Sequence, residues 1–287
     1  MGRGGLAPVA FGRRRLAEWV AAPGGPVMCY THLPAGPARG AVVVCSPLFL
    51  EASENARAEL VLAEALVDLG FAAQRFDYRS CGNSFGDPQE LTLETATLDC
   101  LLAAARLREH AGTDALGLVG TRWGALVAAG ACGPLGARAV ALWEAKPHAQ
   151  AYVDELARTQ AFYDLWRDER HPAGYHQQRL AAGHPLKLLG WRIYPAFAAS
   201  CSDEYVAGRL PGAIPTRLVH GRGREADSER LTAELATLGC PVTACVLDER
   251  VLWWAGVNRL LHPDHAPPPL EAEAGATARW LAERVAQ

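Results

Sequence analysis

The residues with most bearing on chemistry are Gly120-Thr121-Arg122-Trp123-Gly124. An apolar run enters this Gly-flanked turn at 116–119 and an Ala-rich stretch leaves it at 125–130, the pattern of strand, sharp turn and helix. A side chain at the centre of such a turn stands clear at the top of a sheet, where a hydroxyl or thiol would be a nucleophile. The residue there is Arg122, whose guanidinium stays protonated at physiological pH and attacks nothing. A cation beside a helix N-terminus is disfavoured by roughly 0.3–1 kcal/mol, so a negative group must compensate. Two sources are open. One is a carboxylate of the chain, with Glu51, Asp227, Asp248 and Glu249 as candidates. The other is the carboxylate or phosphate of a ligand, which helix-start N–H groups also attract.

Other reactive groups are sparse. Cys45 and Ser46 end the apolar run 40–47 and are candidates for a relocated nucleophile. A free Cys at a strand end is more often a small core residue, and the same holds for Cys81. In "FDYRSCGNSFGD" (76–87), Asp77, Arg79, Gly82, Ser84 and Gly86 read as a turn scaffold. Asp77 and Arg79 would pair and the glycines would permit tight backbone geometry. "HPDHAP" (262–267) reads as a surface loop rather than a metal site, and His148, His171, His176 and His184 show no ligand spacing. No G-x-G-x-x-G follows a strand and no P-loop occurs, so neither cofactor nor metal is expected.

The elements that must position these groups follow from the pattern of apolar residues. Strands are predicted at 26–34, 40–47, 71–78, 115–120, 137–143, 215–221 and 241–248. Helices are predicted at 55–70, 91–110, 228–239 and 271–286. Alternation of this kind makes a doubly wound, mostly parallel sheet, with room for an antiparallel edge before the first crossover. The rhythm breaks at 146–212, an aromatic-rich stretch with helical segments and no convincing strand. The expectation is a single α/β domain over 1–287 carrying a helical insertion at 146–212. "HPDHAPPPLEAEAG" (262–275) reads as a Pro-rich connector.

Half of the 287 residues are apolar, enough for a sizeable core. A net charge of −3 gives no electrostatic basis for nucleic-acid binding, and the short run Arg13-Arg14-Arg15 reads as solvated. No stretch approaches the roughly 20 apolar residues of a membrane span, and the N-terminus lacks an apolar signal core. Eight cysteines without a C-x-x-C pair read as reduced thiols. Together these predict a cytoplasmic location.

"VVVCSPLF" (42–49), the turn at 76–87 and the elbow about 35 residues after it, in that order, resemble α/β-hydrolases of the serine aminopeptidase-like or acylglycerol-lipase-like branch. "GTRWGALVAA" (120–129) more narrowly resembles the G-x-R-x-G-A elbow of hydrolase-like proteins associated with bacterial exosortase and exopolysaccharide loci. "LWEAKPHAQAYVDELAR" (142–158) and the segment 179–200 are similar to that group as well. The resemblance implies an α/β-hydrolase fold with 146–212 as a lid and 42–49 as strand and oxyanion loop. Leu48, Phe49, Arg122 and Trp123 would then line the ligand cleft. It also implies a triad of nucleophile, acid and His in that order. Arg122 holds the nucleophile position. Asp227, or Glu225, is the candidate acid, in the loop after "PTRLVHG". The His place after the last strand reads "DERVLWW" (248–254), without a His.

Three functions are consistent with these residues. The first is a protein without serine-hydrolase chemistry that binds a small anionic or acyl ligand, or a protein of the same pathway, in the former cleft. The second is an esterase, thioesterase or amidase using Ser46 or Cys45 and a His from the lid or from 262–265. The third is a scaffold whose cleft is closed by the lid and by Trp253 and Trp254.

Overall fold

The computed structural model describes residues 14–188, 190–251, 253 and 269–286. At its centre lie the two apolar runs that flank the chemistry. Ala41–Cys45 (β3) and Leu116–Thr121 (β5) pair in parallel, with Cys45 opposite Gly120. Their side chains alternate between two cores. Val43, Cys45 and Leu118 face one; Val42, Val44 and Val119 face the other. That is why both strands read as continuous apolar runs: each is covered on both faces.

Six more strands complete the sheet. They are Arg14–Val20 (β1), Val27–Leu33 (β2), Ala72–Phe76 (β4), Ala139–Trp143 (β6), Thr216–His220 and Val242–Val246. The last two become β9 and β10, after the short ladder Leu186–Leu188 (β7) and Trp191–Ile193 (β8). The order is β1-β2-β4-β3-β5-β6-β9-β10, parallel from β4 through β10 and antiparallel at β1 and β2. The helices Leu50–Asp68 (α1) and Pro269–Val285 pack together on one face of the sheet. Leu93–Ala111 (α2) and Gly124–Leu135 (α3) cover the other face. Thr92 and Thr95 cap α2 reciprocally and Gly112 ends it in the left-handed region, so both of its ends are fixed by sequence.

Between β6 and β9 lie Ala149–Trp166 (α4), Tyr175–Ala181 (α5), β7 and β8, then Pro195–Ser200 (α6) and Val206–Arg209 (α7). Glu225–Thr237 (α8) follows β9. Among the described residues no helix is long and apolar enough to cross a membrane.

The structure departs from the sequence reading in four places. "RRLAEWV", whose arginines read only as a solvated run, is the edge strand β1; Arg14 and Arg15 are exposed, and Arg15 pairs with Glu64. The β6–β9 segment contains the β7–β8 ladder, where no strand was expected. Helix α1 starts at Leu50, five residues before the apolar periodicity begins, because Phe49 turns the chain with a φ of 59°. The second half of the presumed connector 262–275 is helical from Pro269. His262, His265, Trp254 and Arg13 lie outside the described residues.

Candidate functional site

The elbow has the geometry its glycines predict. Arg122 sits in the left-handed region with a φ of 57°, and its N–H donates to the Trp143 carbonyl at 2.8 Å. A Cβ on Gly120 would overlap the Gly124 carbonyl oxygen, and one on Gly124 would overlap the carbonyl oxygens of Cys45 and Ser46. Both glycines are therefore required by backbone packed against backbone. The turn thrusts Arg122 into the space above β3 and β5, where its side chain is fully buried.

The charge of Arg122 meets protein carboxylates. Its Nη2 lies 2.7 Å from Glu51 Oε1, and its Nε lies 3.3 Å from the same oxygen. Nη2 also lies 2.8 Å from Glu155 Oε1 on α4. The Tyr152 hydroxyl donates to Glu51 Oε2 at 3.0 Å, and the rings of Tyr152 and Trp253 each lie 5.3 Å from the guanidinium carbon. Burial opposes the charge on Arg122, but Glu51 and Glu155 outweigh it and hold the proton more firmly than usual. Burial pushes the Glu51 carboxyl up, and Arg122 pulls it back. Of the four carboxylates expected around Arg122, Glu51 reaches it; the second partner, Glu155, lies in the β6–β9 segment.

Further charges gather on the Glu155 side. Lys146 Nζ lies 3.1 Å from Glu155 and 3.4 Å from Asp227. Arg224 lies 3.3 Å from Glu155 and 3.4 Å from Asp227. Asp227 is thus placed near the elbow but faces cations. Glu225 instead accepts from the Gly223 N–H. Buried Glu144 accepts from the Gly221 N–H at 2.6 Å and from Trp253 Nε1 at 3.2 Å. Trp253 therefore stands in the loop where the resemblance implies a His. Among the described residues no His is hydrogen-bonded to Ser46, Cys45 or Asp227. His220 is held by the Ala145 carbonyl, His148 by the Ser202 carbonyl, His176 by Asp164 and His110 by Glu18.

The turn 77–87 is built differently from the expected Asp77–Arg79 pair. Arg79 reaches across to Asp99 on α2, which accepts from its Nη2 at 2.6 Å, its Nε at 3.1 Å and its backbone N–H at 2.9 Å. Asp77 accepts from the Tyr30 hydroxyl and the Asn83 N–H, and its carboxylate occupies the space beside Gly82. Ser84 pins the turn to β2 by donating to the Asp77 carbonyl and accepting from the Met28 N–H. Gly86 takes a φ of 133°.

Of the two possible relocated nucleophiles, Cys45 is buried, with its Sγ 3.5 Å from Cys100 Sγ, and burial pushes its thiol well above the ordinary range. Such a thiol is inert. Ser46 donates to Glu59 Oε2 at 2.9 Å and borders a cavity of about 240 Å³ between α1, β4 and the turn 77–82. Leu48 and Phe49 line the same cavity. Trp123 does not; it is buried against Tyr78 and Phe197. Burial drives the Glu59 carboxyl up to about 7, against the hydrogen bonds of Ser46 and Asn55 and the charge of Arg75.

This raised value has a consequence for stability. Unfolded, Glu59 titrates near 4.5; folded, near 7, so only the folded chain keeps the proton between those values. Stability is complete below the lower value and falls as pH rises through the upper one, by about 3 kcal/mol in all. Urea unfolding at pH 4 and pH 8 is expected to show this loss in the wild type relative to Glu59→Gln, whose amide oxygen accepts from Asn55 and whose NH2 donates to the Ser46 oxygen without a charge. Parallel pH profiles for the two proteins would contradict it.

The sequence reading missed Glu155, Lys146, Arg224, Glu144 and Glu59. One signal for Glu155 was present: Tyr152 and Glu155 are three apart on one helix, so they share a face. No protein-family model matches the chain, and no curated protein matches its sequence. Solved structures do. Est1E of Butyrivibrio proteoclasticus with ferulic acid bound superposes with a TM-score of 0.67 at 17% identity, over 94% of this chain and 100% of that one. A lipase in its open form gives 0.61 at 17% identity, over 96% and 99%. A proline iminopeptidase of Mycobacterium smegmatis gives 0.57 at 14% identity, over 94% and 99%. The chain has the α/β-hydrolase fold, with Arg122 on its elbow.

Proposed function

We propose that this chain is a non-hydrolytic protein on the α/β-hydrolase fold, one that binds a small ligand or a pathway partner without turning it over. The observation that carries this reading is the Arg122 guanidinium, buried at the elbow and shared between Glu51 of α1 and Glu155 of α4. The space a tetrahedral intermediate would need is filled by an ion pair that belongs to the protein. On this reading 146–212 is a lid tied down over the elbow, since it supplies Glu155, Tyr152 and Lys146. What supports a role beside exopolysaccharide assembly or exosortase-linked sorting is the similarity of Gly120–Ala125 and of 142–158 to the proteins of those loci.

A competing arrangement makes Ser46 the nucleophile and Glu59 its base, since the Ser46 hydroxyl donates to a carboxyl poised near neutrality. One experiment separates the two. Wild type, Arg122→Ser, Ser46→Ala and Cys45→Ala are exposed to a fluorophosphonate probe and to a panel of aryl and acyl esters. The expected result is no labelling and no turnover in any of them; Arg122→Ser gains none because, among the described residues, no His is hydrogen-bonded at the elbow. Wild-type turnover that Ser46→Ala abolishes overturns the proposal.

A further inference from the structure

Arg75 is an unusual arginine for this molecule. It lies on β4 opposite Tyr30 of β2, half-buried, with its guanidinium over the Tyr30 ring at 5.5 Å. Its Nε is buried and without a hydrogen-bond partner. No carboxylate among the described residues comes within ion-pairing distance of it, whereas buried Arg79 and Arg122 and half-buried Arg209 and Arg217 each meet one. A buried N–H donor left unmade is costly, more so on a charged group.

What faces Arg75 is the 240 Å³ cavity beside the elbow. Its polar wall is Ser46, Glu59 and Asp77; its apolar wall includes Leu48, Phe49 and Tyr78, and Trp191 of β8 lies across it. The volume is below the ~300–1,000 Å³ of drug-sized ligands. The two carboxyl groups disfavour a dianion such as sulfate, while a guanidinium fork matches the two oxygens of a carboxylate. The aromatic and aliphatic wall suits an aryl or short acyl body.

We propose that this cavity is a binding site for a small monocarboxylate, its carboxylate on the Arg75 guanidinium and its apolar body against Phe49, Tyr78 and Trp191. The proposal rests on the binding reading given above and gives it a location: the ligand lies beside the elbow, since Arg122 is already neutralised. Ser46 and Glu59 border the carboxylate, and Ala52 and Ala56 of α1 form part of the rim.

Isothermal titration of the full chain at pH 6 with benzoate, hexanoate, benzamide and inorganic sulfate tests it. Saturable binding of benzoate or hexanoate is expected, with none of benzamide or sulfate. Arg75→Gln is expected to weaken it about ten- to a hundredfold, the loss of one charge-assisted pair. Ala56→Phe, which leaves Arg75 in place and plugs the rim, is expected to abolish it; circular dichroism confirms that both variants fold. No carboxylate binding to the wild type overturns the proposal. So does binding that survives both variants, or a preference for sulfate. These outcomes concern binding alone, so they stand apart from the ester panel, where turnover is what sinks the non-hydrolytic reading.

Discussion

Replacing Arg122 with Ala is expected to lower the free energy of unfolding by about 3–5 kcal/mol, the cost of removing one partner of a buried ion pair. Glu51 is the reason. Its side chain is fully buried, and Arg122 is the cation that opposes the effect of burial on its carboxyl. Without Arg122 the carboxylate must either stay charged in a low-dielectric site or take up a proton. The defect is therefore larger at pH 8 than at pH 5, because protonation relieves it at the lower pH. The double variant Arg122→Met with Glu51→Gln is expected to recover most of the loss. Met fills the volume, and Gln still accepts from the Tyr152 hydroxyl, which would otherwise be left unmade. Urea unfolding of the three proteins at both pH values is the measurement. A loss below about 1 kcal/mol, the range of exposed ion pairs, would show that the pair contributes nothing special.

The second large effect is expected at Asp99. Asp99→Ala removes the acceptor of three hydrogen bonds from Arg79, one of them from its backbone, at a side chain with no solvent exposure. The expected loss is again about 3–5 kcal/mol, for a stranded buried guanidinium. Its location distinguishes it from the first. Amide hydrogen exchange is expected to accelerate within 78–86, where the turn is otherwise pinned at Ser80, Cys81 and Ser84 by local backbone bonds. Asp77→Asn serves as the contrast. Its carboxylate is only half-buried and accepts from Tyr30 and Asn83, so a loss of about 1 kcal/mol is expected. If Asp77→Asn costs as much as Asp99→Ala, then Arg79 is not the turn's anchor.

Much of this architecture was legible because the signals are local. The strand at 116–121, its glycines and the Ala-rich helix behind them dictate an elbow whatever residue occupies its tip. The caps of α2 are equally local. Edge strand β1 was not legible because it faces no core squarely: Leu16, Glu18 and Val20 are only half-buried, and Glu18 is held by Arg106 and His110. An alternation that includes a charged residue on its inner face gives no apolar periodicity. The candidate site was legible at Arg122 and in the need for a carboxylate, but only one of the two carboxylates could be named. Glu51 precedes the elbow by 71 residues, and Glu155 follows it by 33 within a segment whose packing no periodicity reveals. Arg79 chose Asp99 over its neighbour Asp77 for a similar reason. Pairing is decided by which element lies across the turn, and a motif read along the chain sees only what lies beside it.

The elbow also constrains how this sequence can change. Arg122, Glu51 and Glu155 come from three separate elements and depend on one another in pairs. Substituting a hydroxyl at residue 122 alone strands Glu51, while Glu155 keeps Lys146 and Arg224; substituting Glu51 alone leaves the arginine half-matched. Their effects are therefore strongly non-additive. A single substitution at residue 122 is therefore expected to cost stability, and the cost falls when Glu51 changes with it. The arginine is thereby held in place by its surroundings: the elbow and the α1 position that faces it tolerate change better together than singly.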